Sequence, residues 1–178
     1  MKNLQKLLLI TAAFAFTLTA CSKRYTQHST EIDAFKKVVT LFGDQKFDEM
    51  AAFYADSAKI ANNVPKKRSV TIAQRIAQNK EDSTFFSTWK IDTKEGEYEM
   101  VETDKGETWV NYWGQWQGTL KSNNKLYVVP VCITAKFIDG KIVREFGYWD
   151  DSKIALGLQK TEAVSSIDAP DQLKMATK

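Results

Sequence analysis

Apolar residues recur at two different spacings along this chain, and the change of spacing divides it. Between residues 30 and 43, Ile32, Phe35, Val38, Val39 and Phe42 form one stripe of a helix. Thr30 with Asp33 suits a capping start, and Gly43 suits the stop. A second helix is predicted over 45–55, with Phe47, Met50, Ala51, Phe53 and Tyr54 as its apolar face. Residues 59–62 read as a brief strand and Asn63-Val64-Pro65 as a turn. Thr71 with Gln74 opens a third helix to about residue 87, with Ile72, Ile76, Phe85 and Phe86 inward. Beyond it the period becomes two. Strands are predicted over 89–93, 97–103, 108–120, 125–138 and 141–149, separated by turn signals at Gly106, Ser122-Asn123-Asn124 and Asp139-Gly140. Helices first and strands after imply an α+β fold, an antiparallel sheet covered on one face by helices.

Two strands carry chemistry in their alternation. In 125–138, Tyr127, Val129, Val131, Ile133, Ala135 and Phe137 share one face, apolar at every step; Pro130 within it cannot donate to a ladder and should mark a bulge or an edge. In 108–120, Trp109, Asn111, Trp113, Gln115 and Gln117 lie opposite Val110, Tyr112, Gly114, Trp116 and Gly118. The first face mixes rings with amides, which suits either a ligand wall or packing on a helix or a second copy. In 141–149, Val143, Glu145, Gly147 and Trp149 share a face. Asp150 and Asp151 precede a short helix predicted over 152–158, and residues 159–178 read as a disordered tail.

The N-terminus is a different kind of segment. Lys2 and Lys6 precede an apolar run over 7–18, too short to span a bilayer and right for a secretory signal. It ends in Leu18-Thr19-Ala20-Cys21, which resembles a bacterial lipobox. Residues 1–20 are therefore expected to be cleaved, Cys21 to be acylated, and 21–29 to tether a domain over 30–158 to the membrane. This places the protein in the cell envelope, at the outer membrane facing the periplasm. The full chain has 178 residues and a charge of +3; losing 1–20 leaves +1, so charge points to no nucleic-acid partner. One histidine, His28, and two cysteines exclude most zinc sites and disulfide scaffolds, and no cofactor or metal is expected. Cys132 then has no partner within the chain and reads as a small buried strand residue.

Three segments together resemble the nuclear transport factor 2-like superfamily, SnoaL-like branch: residues 43–58 around Phe47-Asp48-Glu49-Met50-Ala51-Ala52-Phe53-Tyr54, the Asp139-Gly140-Lys141-Ile142-Val143 turn, and Tyr148-Trp149-Asp150 with Leu156-Gly157-Leu158. The resemblance covers about 30–158. It implies a cone, a curved antiparallel sheet wrapped over three helices as an α+β barrel, with an apolar pocket at the open end and dimers through the sheet. It also implies family positions for acid and base. The isomerase-like base falls on Asn62, the helix-one tyrosine on Val38, and the cyclase acid/base pair on Gly147 and Glu145. Of these only Glu145 can take or give a proton.

The family uses its pocket for catalysis and for plain binding, so the residues must decide. The leading expectation is a non-catalytic envelope domain that holds a small, largely apolar ligand or serves as a dimeric module. Tyr54, Trp109, Asn111, Trp113, Gln115, Glu145 and Trp149 are its candidate ligand contacts. The rival is a divergent isomerase, dehydratase or cyclase using Glu145 as acid/base, with Tyr54 or Tyr112 as donor. A third reading makes the Trp face a docking surface for a partner protein.

Overall fold

The computed structural model describes the backbone of residues 24–167 and the side chains through Lys160, so the signal segment, Cys21 and residues 168–178 lie outside the described residues. Four helices pack with a six-stranded mixed sheet. The elements run β1 (Tyr25–Thr26), α1 (Thr30–Gly43), α2 (Phe47–Met50), β2 (Tyr54–Asn62), α3 (Ile72–Ser83), β3 (Phe86–Glu102), β4 (Thr108–Leu120), β5 (Lys125–Ile138), β6 (Lys141–Trp149) and α4 (Ser152–Ile167). The sheet order is β1-β3-β4-β5-β6-β2, with β1 and β2 at open edges.

The α+β architecture stands as expected, with two corrections. The sheet is not a closed barrel and not wholly antiparallel, because β2 pairs with β6 in parallel. Helix two is also shorter than its apolar pattern predicted: one α-helical turn passes into a 3₁₀ turn at Ala51–Phe53, and Tyr54 already begins a nine-residue strand. Tyr54 therefore belongs to the sheet. The segments 89–93 and 97–103 belong to one strand, β3, interrupted where Thr93–Gly96 oppose the single residue Gly114. Such bulges bend a sheet. In β6, Val143 is the extra residue in the pairing with β5, so Ile142 takes the core position and Val143 does not; against β2 the excess is on the other strand, where residues 55–58 oppose Val143 alone.

Two apolar clusters build the interior. Ile32, Phe35, Val38 and Val39 of α1 pack on Val110, Tyr112, Ala135, Phe137 and Ile142 of the sheet. Trp116, Leu120, Tyr127 and Val129 form the second cluster, with Ile154 and Leu158 of α4 against it. The closing helix, predicted to end at Leu158, runs on to Ile167, nine residues into the stretch read as tail. Pro130 sits where β5 has passed the end of β6, whose pairing begins at Val131, so its missing N–H falls at a local edge.

The helix ends are set by local chemistry that differs in detail from expectation. The Thr71–Gln74 capping box forms as predicted. The cap of α1 is instead Ser29, whose Oγ accepts from the backbone N–H of Ile32 at 3.1 Å. Gly43 is the last helical residue, and the left-handed position falls on Gln45, φ 59°. The glycine is needed for closeness: a Cβ there would stand 3.2 Å from the backbone N of Ile91 in β3.

Replacing Ser29 by Ala should cost about 1 kcal/mol in denaturant unfolding, whereas Thr30→Ala should stay within about 0.5 kcal/mol of wild type. Equal losses would return the cap to Thr30.

Candidate functional site

A cavity of about 280 Å³ lies where the two apolar clusters meet. That is near the small end for ligand-sized cavities. Phe35, Val38 and Val39 of α1 face Tyr112 and Trp116 of β4, Val131 and Ile133 of β5, and Ile154 and Leu158 of α4. Arg75, Asp82 and Asp151 bring charge to the lining from α3 and the start of α4.

The rings are accommodated by glycines two residues away on the same strand face. A Cβ on Gly114 would fall 2.0 Å from the Tyr112 hydroxyl. On Gly118 it would fall 2.3 Å from the Trp116 ring, and on Gly147 2.5 Å from the Trp149 ring. Each large side chain lies along its strand, over a position that has none.

Glu145 is the buried charge of the site, only 6% exposed. The Tyr54 hydroxyl donates to its Oε2 at 2.5 Å, and the Asn62 Nδ2 donates to its Oε1 at 2.8 Å. The parallel strand β2 makes this possible. It starts at Tyr54, ends at Asn62, and sets Ile60 opposite Glu145 and Asn62 opposite Gly147. Burial holds the Tyr54 hydroxyl well above its ordinary pKa; the Glu145 charge and hydrogen bond add to this and Arg75 opposes it. Tyr54 is therefore a protonated donor at neutral pH. Arg75 itself lies over the Trp149 ring, 5.9 Å from its centroid.

The neighbouring polar atoms are unsatisfied. Among the described residues, five buried side-chain atoms lack a hydrogen-bond partner: Asn62 Oδ1, both amide atoms of Asn79, the Tyr112 hydroxyl and Trp116 Nε1. All four residues line this cavity. Leaving such a group unmatched costs about 1–3 kcal/mol each, so their convergence calls for a physical reason. Burial also pushes the Tyr112 hydroxyl up to about 12.

Of the residues expected at a ligand site, Tyr54, Glu145 and Trp149 line the cavity. Trp109, Asn111, Trp113 and Gln115 are not among its lining residues. Strand alternation turns Val110, Tyr112 and Trp116 inward and this set outward. Trp109 stacks on Phe146 at 6.2 Å, the Asn111 amide donates to Glu99, and Trp113 is 41% exposed. Cys132 pairs with Trp113 and Tyr148 across that outer face, half-buried and outside the core. Asn62, Gly147 and Val38, the family positions without acid or base, meet the cavity region: Asn62 and Val38 line it, and Gly147 packs against Asn62 and Trp149. Sequence reasoning passed over Asn79 and Arg75. Asn79 follows Ile72 and Ile76 on the inward stripe of α3, and a polar residue at that spacing was the available signal.

The fold has counterparts among solved structures. A SnoaL-like polyketide cyclase from Agrobacterium tumefaciens superposes with a TM-score of 0.55 at 16% identity, covering 74% of this chain and 99% of that one. PrhC from Penicillium brasilianum gives 0.61 at 11% identity, covering 79% and 93%. A protein of ketosteroid isomerase-like fold from Catenulispora acidiphila, solved with trimethylamine, gives 0.52 at 8% identity, covering 65% and 83%. The chain has the SnoaL-like, nuclear transport factor 2-like fold. No protein-family model matches the sequence, and no curated protein matches it. At these identities the likeness is one of fold.

Removing the Tyr54 hydroxyl should test the buried network. Tyr54→Phe leaves Glu145 one donor short and should cost about 1.5–3 kcal/mol at pH 7, measured by urea unfolding. The raised Tyr54 pKa also contributes stability that is complete below about pH 10 and lost as pH climbs towards the folded-state value. The variant should therefore lose stability less steeply above pH 10, by up to about 1.4 kcal/mol per pH unit. An unchanged alkaline slope would place the titrating group elsewhere.

Proposed function

We propose that the cavity holds one small, largely apolar ligand, anchored at its polar end by Glu145 with Tyr54 and Asn62. The observation that carries this reading is a coincidence of place. The buried carboxylate and every unpartnered buried polar side-chain atom among the described residues surround one cavity. Rings provide contact area, and a few convergent polar groups provide orientation. Native mass spectrometry of the full chain, purified gently in detergent, should find an added mass of a few hundred daltons, reduced by a bulky Ile133→Trp change in the cavity wall. A clean unliganded mass across several preparations would count against it.

Placement in the envelope belongs to the same proposal. The lipobox-like Leu18-Thr19-Ala20-Cys21 supports cleavage before Cys21 and a lipid anchor facing the periplasm. Intact-mass analysis should show loss of residues 1–20 with a diacylglycerol-type addition, and Cys21→Ala should abolish both. A homodimer through the sheet is also proposed. Trp113 and Tyr148 stand exposed on the outer face, on either side of Cys132.

A second reading, an acid/base enzyme, is favoured by the position of Glu145 in an apolar cavity. Tyr54 is committed to the carboxylate, so Tyr112 is the hydroxyl left to donate to a substrate. A neighbour in fold is described as a polyketide cyclase, which supports this reading. Incubating the released ligand with the protein separates the two. A holder returns it unchanged, whereas an enzyme converts it and loses most turnover in Glu145→Gln.

A further inference from the structure

We propose that the ligand is an organic cation, a small ring-bearing amine whose ammonium group sits against Glu145. This rests on the reading of the cavity as a ligand site and names the chemistry that site selects. The charge of the lining favours a cation. Glu145, Asp82 and Asp151 line the cavity against a single guanidinium, Arg75, which lies over the Trp149 ring. An anion entering here meets three carboxylates.

The hydrogen bonds left unmet around Glu145 point the same way. A carboxylate only accepts, so the Asn62 atom facing Glu145 is its Nδ2. That orientation leaves Asn62 Oδ1 as an unpartnered acceptor in the same cavity. Glu145 receives one bond at each oxygen, and each oxygen keeps a lone pair. Asn79, 1% exposed and unpartnered at both amide atoms, adds one further acceptor and one donor group. Glu145 and Asn62 Oδ1 thus place acceptors side by side, and an ammonium supplies up to three N–H donors to them; the unpartnered donors, Asn79 Nδ2, the Tyr112 hydroxyl and Trp116 Nε1, are left for water or an acceptor elsewhere on the ligand.

The surrounding rings also suit a cation. Trp89, Trp116 and Tyr112 present rings to the same space, and aromatic faces attract a cation most when water is excluded. A wholly apolar ligand would leave the acceptors unmatched.

The test uses three probes of similar size with the full chain in detergent at pH 7: phenethylamine, 2-phenylethanol and 3-phenylpropanoate. Affinities are read by calorimetry and tryptophan fluorescence. Phenethylamine should bind about tenfold or more tightly than the alcohol, with the carboxylate weakest. Glu145→Gln should bring the amine down to the alcohol's affinity. Should that variant fail to fold, Asp82→Asn on the exposed rim should still lower the amine's affinity by about twofold while leaving the alcohol's unchanged. Equal or better binding by the alcohol or the carboxylate would overturn the cation and leave the ligand site standing. No binding by any of the three at millimolar concentration would overturn the ligand site as well.

Discussion

A carboxylate taken out of water costs several kcal/mol unless donors replace the solvent it has lost. Glu145 meets that condition with two donors, both from β2. The constraint reaches far into the fold. Tyr54 and Asn62 are the first and last residues of β2, set opposite Ile142 and Gly147 on either side of Glu145, and the four residues 55–58 that stand against the single Val143 shorten the span so that both reach the same side chain. The mixed edge of the sheet is thus tied to the polar end of the site. The bulge at Val143 serves the same end, since it lets Ile142 fill the core while Glu145, three residues later, turns to the cavity.

The apolar part of the cavity depends on a second device, the placing of glycine beside large rings. Tyr112 with Gly114, Trp116 with Gly118 and Trp149 with Gly147 each pair a bulky side chain with a position that could not carry one. Interiors tolerate few gaps, so an open volume between two packed clusters needs walls that cannot collapse. Edge contacts among Phe86, Trp89 and Trp116, with ring centroids 5.0–5.7 Å apart, tie together one such wall. The site's chemistry and its shape therefore come from different sequence features: a few polar residues on β2, β6 and α3, and an aromatic–glycine alternation on β4.

Much of this was legible in the sequence where one face dominates. Ile32, Phe35, Val38 and Val39 announce α1, the apolar face of β5 is continuous from Tyr127 to Phe137, and the shared face of Glu145 and Trp149 follows from alternation. The β4 faces were ambiguous because both carry tryptophan. The glycines at 114 and 118 mark the inward set, since an added Cβ would collide with the rings that lie there. The length of helix two was misleading for another reason. Phe53 and Tyr54 continue its apolar pattern, yet the chain turns extended at Tyr54, φ −105° and ψ 148°, to pair with β6. Parallel pairing between segments more than eighty residues apart leaves no local trace. Neither does the convergence of Asn62, Asn79, Tyr112 and Trp116, which come from three elements.

On the proposed reading these unpartnered atoms await a ligand's polar groups. The most direct measurement is a crystal structure of the protein purified from its own cells, at a resolution that places ordered small molecules. Density is expected within the cavity, in hydrogen-bond reach of Glu145, Asn62 Oδ1 and the Asn79 amide. A dry cavity with those atoms still unmatched, or one whose side chains have closed to pair with each other, would contradict that reading.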